Sequence, residues 1–159
     1  MPYPSFKKSV KCLDYRRLGK QRVEAKQILD ILLNRTNKRG WHNHPAVKMW
    51  VGYEEALKLY YDWCIAEWIN RGYKNNMPTE KVNRKHLVYP WWFGNYKFHK
   101  AHKSNLLRKN FEYYKQFGWE LIINLPYIWP KGKDQVYKIH IRKNNHNNNR
   151  KRIKGGESK

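Results

Sequence analysis

The chain has 159 residues, with 34 Lys/Arg against 12 Asp/Glu, a formal net charge of +22 and a pI near 10.1. That length allows one domain with one real core, and so large a cationic excess points to a polyanionic partner, nucleic acid by default. No apolar run approaches the ~20 residues of a membrane span, and the first eight residues, Met1 to Lys8, lack the apolar stretch of a secretory signal.

Pro2 and Pro4 predict that the first ten residues are extended, with Phe6 available to dock on the body. A helix is expected from about Ser9 to Asn34, because Leu18, Ala25, Ile28, Leu29 and Leu32 recur at helical spacing. Glu24 lies on the flank of that stripe and should be partly sheltered. Gly19 weakens the helix by roughly 1 kcal/mol relative to alanine and marks a kink or the close approach of another backbone. A polar loop over 34–44 ends in Trp41-His42-Asn43-His44, and Pro45 then opens a long second helix. Trp50, Leu57, Tyr61, Cys64 and Trp68 form its buried seam, and Arg71-Gly72 is a helix stop. Residues 74–97 read as loop, roughly 97–117 as a third helical region, and Leu121 to Pro130 as an apolar, aromatic end to the folded part. From Lys131 onward there are ten Lys/Arg and two acids, a net of +8 that leaves +14 on residues 1–130 (22 − 8). The expected organisation is one compact all-α domain over 1–130, followed by a basic, partly disordered tail over 131–159.

The core is supplied by 8 Trp, 12 Tyr and 5 Phe, since large aromatics are first of all core material. Cys12 and Cys64 are too few for a disulfide framework or a cysteine zinc site, so a reducing compartment is expected. Cys64 reads as a core thiol.

The segment Asp14-Tyr-Arg-Arg-Leu-Gly-Lys-Gln-Arg-Val-Glu24 carries the chemistry. It sets Glu24 among Arg16, Arg17, Lys20, Arg22 and Lys26 on one helix. Chemistry at a sugar carbon needs such a set: cations to hold the backbone, and a carboxylate to move a proton or face a developing cation. The plainer reading is a surface helix with ion pairs three and four residues apart. His42-Asn43-His44, just before a helix-opening proline, suits helix capping and phosphate contact better than a metal nuclease. His99-Lys-Ala-His102 has the spacing of two metal ligands, but no carboxylate accompanies it, and Lys100 and Lys103 repel a cation. No metal site and no cofactor are expected. There is no glycine-rich phosphate loop, nucleophile elbow or zinc-deaminase signature.

Several blocks resemble the pyrimidine-dimer DNA glycosylase / endonuclease V family. They are Pro2-Tyr-Pro-Ser-Phe6, Leu13-Asp14 with Leu18-Gly-Lys-Gln-Arg-Val-Glu24, Gly40-Trp-His-Asn-His-Pro-Ala-Val47 and Asn70-Arg-Gly-Tyr73. His102-Lys-Ser-Asn-Leu-Leu-Arg-Lys109 and Leu125-Pro-Tyr-Ile-Trp-Pro130 resemble its bacterial and phage branch. The resemblance implies a compact helical enzyme without a metal, whose N-terminal amine attacks C1′ of a damaged nucleotide. The base leaves, an imine forms, and β-elimination cuts the strand. The family's essential glutamate falls on Glu24, and Pro2 becomes the amine if Met1 is removed. The family's supporting histidine, seven residues before the glutamate, corresponds to Arg17, and its flanking arginines have no in-register match, although Arg22 and Lys26 lie close by.

On this reading Arg16, Arg17, Lys20, Arg22 and Lys26 bind DNA, with His42, His44, His102, Lys103 and Arg108 as outer contacts. Trp91 or Trp92 would fill the gap left by a displaced nucleotide. The partner is damaged or abasic double-stranded DNA, the protein a monomer, and no membrane is involved. The expected location is intracellular and DNA-associated: cytoplasm or nucleoid, or a viral factory or virion. Two other classes remain: a non-catalytic DNA-binding or packaging protein derived from this family, and a metal-dependent nuclease.

Overall fold

The computed structural model describes residues 1–37 and 40–133. Its described residues form six α-helices, two short 3-10 turns and no strand. The all-α expectation holds.

Ser5 caps the first helix, α1 (Phe6–Lys11), its hydroxyl accepting from the Lys8 amide at 3.2 Å. Helix therefore starts inside the stretch expected to be extended, because the serine side chain satisfies an amide that the helix start would otherwise leave unpaired. The long helix expected over 9–34 is broken in two. Asp14 adopts an extended conformation and caps α2 (Tyr15–Leu32), accepting from the Arg17 amide at 3.1 Å. The corner is tied from two sides. Tyr114 hydroxyl donates to Asp14 Oδ2 at 2.8 Å, and the Arg71 guanidinium donates to the carbonyls of Leu13 at 2.7 Å and Lys11 at 2.9 Å. Those carbonyls close α1, so a residue 60 positions away completes its C-terminus.

The second expected helix is also divided, into α3 (Pro45–Lys48) and α4 (Glu54–Asn70). Gly52 sits between them at φ +82°, a conformation that disfavours side-chain-bearing residues. The stop at Arg71-Gly72 falls where expected, with Gly72 at φ +81°. Beyond it, a 3-10 turn at Arg84–His86 interrupts the long loop, and the third region resolves into α5 (Tyr96–Lys109), α6 (Phe111–Tyr114) and a 3-10 turn at Lys115–Phe117.

The core forms where α2 packs on α4. Leu18, Ala25, Ile28 and Leu29 from α2 meet Leu57, Tyr60, Tyr61, Cys64 and Ile65 from α4, and Phe6, Trp50, Trp92 and Phe98 close the ends. Trp68 lies flat enough on α2 that a Cβ at Gly19 would stand 3.0 Å from its ring. The close approach expected at Gly19 is thus made by an indole, and α2 continues through it. A second cluster of Cys12, Leu107, Tyr114 and Trp119 seats α5 and α6 beneath the corner. Both cysteines are free and buried, and burial pushes each thiol up to about 12.

Residues 121–130 run without regular structure, and the following residues are pinned to the α3–α4 turn. Gly132 amide donates to Lys48 carbonyl at 2.9 Å and Lys133 amide to Val51 carbonyl at 2.8 Å. A Cβ at Gly132 would come within 2.4 Å of the Val51 carbonyl oxygen, so only glycine fits this approach. Of the basic tail expected over 131–159, residues 134–159 lie outside the described residues.

Candidate active site

A cavity of about 400 Å³ lies between α2, α5 and the segment before α3, within the range typical of small-ligand sites. Five residues of α2 share its wall, Arg17, Lys20, Gln21, Glu24 and Ile28, and Arg17, Lys20, Glu24 and Ile28 recur at steps of three and four residues that place them on one face. α5 contributes Phe98, His102, Leu106 and Lys109 at the same spacing. Trp41 and His44 stand before α3, Tyr127 and Trp129 come from the C-terminal segment, and Met1 and Pro2 enter from the chain's start.

Glu24 is partly buried, with Lys20 Nζ 3.4 Å from Oε1. Arg17 is held by Asp14, Nη1 to Oδ2 at 2.9 Å, which leaves its buried Nε without a hydrogen-bond partner among the described residues. On the opposite side the rings form a chain. Trp41 stacks on His44 with centroids 4.6 Å apart, His44 meets Trp129 edge-on at 5.9 Å, and Trp129 adjoins Tyr127 at 5.5 Å. Trp41 and Trp129 keep part of their faces exposed, which suits stacking against a planar ring.

The backbone of Met1 is gripped at both ends by α5. Its amine is 3.0 Å from His102 Nδ1, and its carbonyl oxygen is 2.9 Å from His99 Nδ1. His99 Nε2 accepts from the Gly94 amide at 3.0 Å, so the ring proton sits on Nδ1, which donates to the Met1 carbonyl. The residue Met1 is only partly covered, but its amine is enclosed, and burial lowers the amine's pKa from 8.0 to about 5. Burial likewise holds His102 well below the ordinary histidine range, with the adjacent amine as the second cause. At neutral pH the amine is uncharged, and burial holds His99 too below the ordinary histidine range. Burial, not the surrounding cations, makes this amine neutral.

The residues expected to bind DNA divide sharply. Arg17, Lys20 and His44 come together on the cavity with Glu24 and Pro2, the two residues expected to be catalytic. His44 also caps α3, its Nδ1 accepting from the Ala46 amide at 3.1 Å, which bears out the capping use expected for this triplet. His102, expected as an outer contact, is partly buried on the cavity wall and bound to the chain's start. Arg22 lies over the Trp68 ring at 4.6 Å and donates to Asn75. Lys26 is paired with Asp30. Arg16 is exposed beside Tyr15. Lys103 rests over Tyr3 at 4.8 Å, and Arg108 donates to Asn105 at 2.7 Å. His42 does not line the cavity, and its buried Nε2 has no partner among the described residues. Trp92 is buried in the core and donates to the Met49 carbonyl at 3.0 Å, so it cannot enter DNA. Trp91 remains exposed.

Sequence reasoning passed over Trp41, Lys109, Tyr127 and Trp129 as site residues. The only signal was that all four fall within the family-like blocks 40–47, 102–109 and 125–130. Among the described residues no three His, Cys, Asp or Glu side chains group as metal ligands, and no helix is long and apolar enough to cross a membrane.

A neutral amine, a carboxylate, cations and stacking faces thus share one cleft. Comparison with protein-family profiles matches residues 1–81 to the pyrimidine dimer DNA glycosylase family. The match spans just over half of the chain, which belongs to this family of DNA repair enzymes. Searches of curated proteins and of solved structures find no match.

Proposed function

We propose that this protein excises damaged, pyrimidine-dimer-type bases from double-stranded DNA and cleaves the resulting abasic site. The α-amine of Pro2, freed by removal of Met1, is the nucleophile, and Glu24 is the carboxylate that takes and returns its proton. One observation carries the reading: the chain's amino end and Glu24 line the same cavity, where burial keeps a terminal amine uncharged. An amine attacks only through a free lone pair, and the depressed basicity is that of the Met1 amine, one residue ahead of the Pro2 nitrogen that would enter the same cavity after processing. Arg17 and Lys20 flank Glu24 and would hold the phosphates on either side of the lesion, joined by Lys109 across the cleft. Trp41, Tyr127 and Trp129 offer faces for a base that has left the stack.

The test is borohydride trapping on abasic and ultraviolet-irradiated duplexes in EDTA, followed by peptide mapping of the adduct. An adduct on the Pro2 nitrogen is expected. A lysine adduct, on Lys20 or Lys109, rejects the amine. Strand cleavage without any adduct and only with added metal indicates a nuclease. A second outcome has its own support, since the Met1 amine itself lies in the cavity and is uncharged at neutral pH. A chain that keeps Met1 and still traps on that nitrogen moves the nucleophile one residue forward.

A further inference from the structure

Most polar side chains on the cavity wall already hold a partner. Arg17 is paired with Asp14, Lys20 with Glu24 and His102 with the Met1 amine, while Lys109 lies over the Tyr127 ring at 5.5 Å and His44 caps α3. Gln21 is the exception. It is half-buried on the same wall, and its side-chain amide has no hydrogen-bond or ring partner among the described residues. Neither amide atom is sealed from solvent. Gln21 lies three residues before Glu24, so the two share one face of α2, about 4.5 Å apart along its axis. In the proposed reaction Glu24 marks where C1′ is attacked, which brings the amide within reach of the base carried by that carbon. An amide is neutral and sets an acceptor beside two donors. A pyrimidine's pairing edge is complementary, a ring N–H beside carbonyl oxygens. In thymine that edge survives dimer formation, which joins the rings at C5 and C6 and leaves O4, N3–H and O2 unchanged. The faces of Trp41, Tyr127 and Trp129 cannot choose among bases in this way, because every base has a π-face.

We infer that Gln21 is a specificity-determining residue of this site, its amide reading the pairing edge of the pyrimidine whose bond to C1′ is cut. Oε1 accepts from N3–H, and Nε2–H donates to the carbonyl oxygen beside it. The inference rests on the proposed glycosylase reading and adds to it the group that chooses the base. The edge meets Gln21 only after the base has lost its pairing partner. An intact base pair therefore hides the edge, and an opened one presents it. Once DNA covers the cavity, an amide facing a base without the matching donor and acceptor is stripped of water and left unpaired, which penalises the wrong base. Gln21 itself moves no proton. That task stays with Glu24, one turn further along the helix.

The experiment uses the full chain, its N-terminus defined by intact mass, on two duplexes. One carries a thymine dimer and the other a preformed abasic site, which has no base to read. Base release from the first and borohydride adduct formation on the second are timed in single turnover for wild type, Gln21→Met and Gln21→Ala, with thermal melting alongside. Methionine keeps the length and helix propensity of the side chain but removes both hydrogen-bonding groups. Base release is expected to fall at least ~10-fold in both variants, because two hydrogen bonds to the base are lost. Adduct formation on the abasic site should fall by less than ~3-fold. Equal falls on the two duplexes put Gln21 on the sugar or the strand and overturn the inference, as does base release within ~3-fold of wild type. A dimer methylated at N3 tests the contact from the other side. Its rate penalty in wild type should shrink by at least ~5-fold in Gln21→Met, and an undiminished penalty rejects the contact. If neither variant melts cooperatively, a structure of the Glu24→Gln protein on the dimer duplex decides. A Gln21 amide within ~3.2 Å of the pairing edge supports the inference, and one beyond hydrogen-bonding distance rejects it. Wild type that releases no base from the dimer duplex removes the glycosylase reading, and this inference with it. Base release insensitive to Gln21 removes the inference alone.

Discussion

Glu24 is the carboxylate on the cavity, and its partner Lys20 is largely exposed, so their ion pair contributes little to stability. Replacing it tests chemistry more than folding. Glu24→Gln should keep or slightly improve DNA affinity, while base release in single turnover falls by at least ~10²-fold. A rate within threefold of wild type takes Glu24 out of the mechanism. The chain end makes a second residue-scale prediction. In protein that retains Met1, the amine's folded pKa of about 5 lies below its ordinary 8.0, so the unfolded chain binds more protons between those values. Stability should therefore rise with pH from about 5 to 8 and be lost as pH falls, by on the order of a few kcal/mol. The lowered pKa values of His99 and His102 act in the same direction below the ordinary histidine value of 6.5. Urea unfolding at pH 5.5 and 8 measures it, and identical midpoints would contradict an enclosed amine.

The α1–α2 corner is the element on which the site's geometry depends, because α2 carries Arg17, Lys20 and Glu24 directly after it. Tyr114 serves the corner twice, donating to Asp14 Oδ2 and accepting from the Asp14 amide at 3.1 Å. Both Asp14 and Tyr114 are buried. Tyr114→Phe leaves a carboxylate oxygen and an amide short of a partner and should cost about 1–3 kcal/mol. Equilibrium denaturation gives the value, and a change under ~0.5 kcal/mol by that measure would show that water replaces the hydroxyl. Helical spacing predicted the content of this region but not the corner, because the apolar stripe that defines the helix begins only at Leu18, beyond the break. The break depends on Asp14 acting as a cap and on partners about 60 and 100 residues away. The α3–α4 break is similar: Gly52 is a local signal, but it is confirmed only by the strap at Gly132 and Lys133 that lies against it.

Over the whole molecule, charge should act separately from chemistry. Residues 134–159 carry eight Lys/Arg and two acids, a net +6. Removing them, while keeping the pinned Gly132 and Lys133, should weaken nonspecific DNA binding. The slope of log K against log[salt] should become shallower by ~0.9 for each duplex phosphate that is no longer neutralised. Single-turnover rates on saturating substrate should hardly change. An inactive or unfolded truncation would show that the segment belongs to the domain.

The sequence by itself determined the class of the molecule: a basic, helical, aromatic-rich chain with one carboxylate among cations and a family signature in its first half. Composition and short-range periodicity carry that information, because each depends on residues close together along the chain. Only the tertiary structure decided which cations face the cleft: Arg22 and Lys103 lie over rings far away along the chain, while Lys26 and Arg108 are engaged by neighbours on their own helices. It likewise decided that His99 and His102 hold the chain's start, across separations of 98 and 101 residues. A helical pair of histidines has the same spacing whether it binds a metal, a phosphate or a peptide. What distinguishes these uses is the group that packing brings opposite them, and here that group is the backbone of Met1.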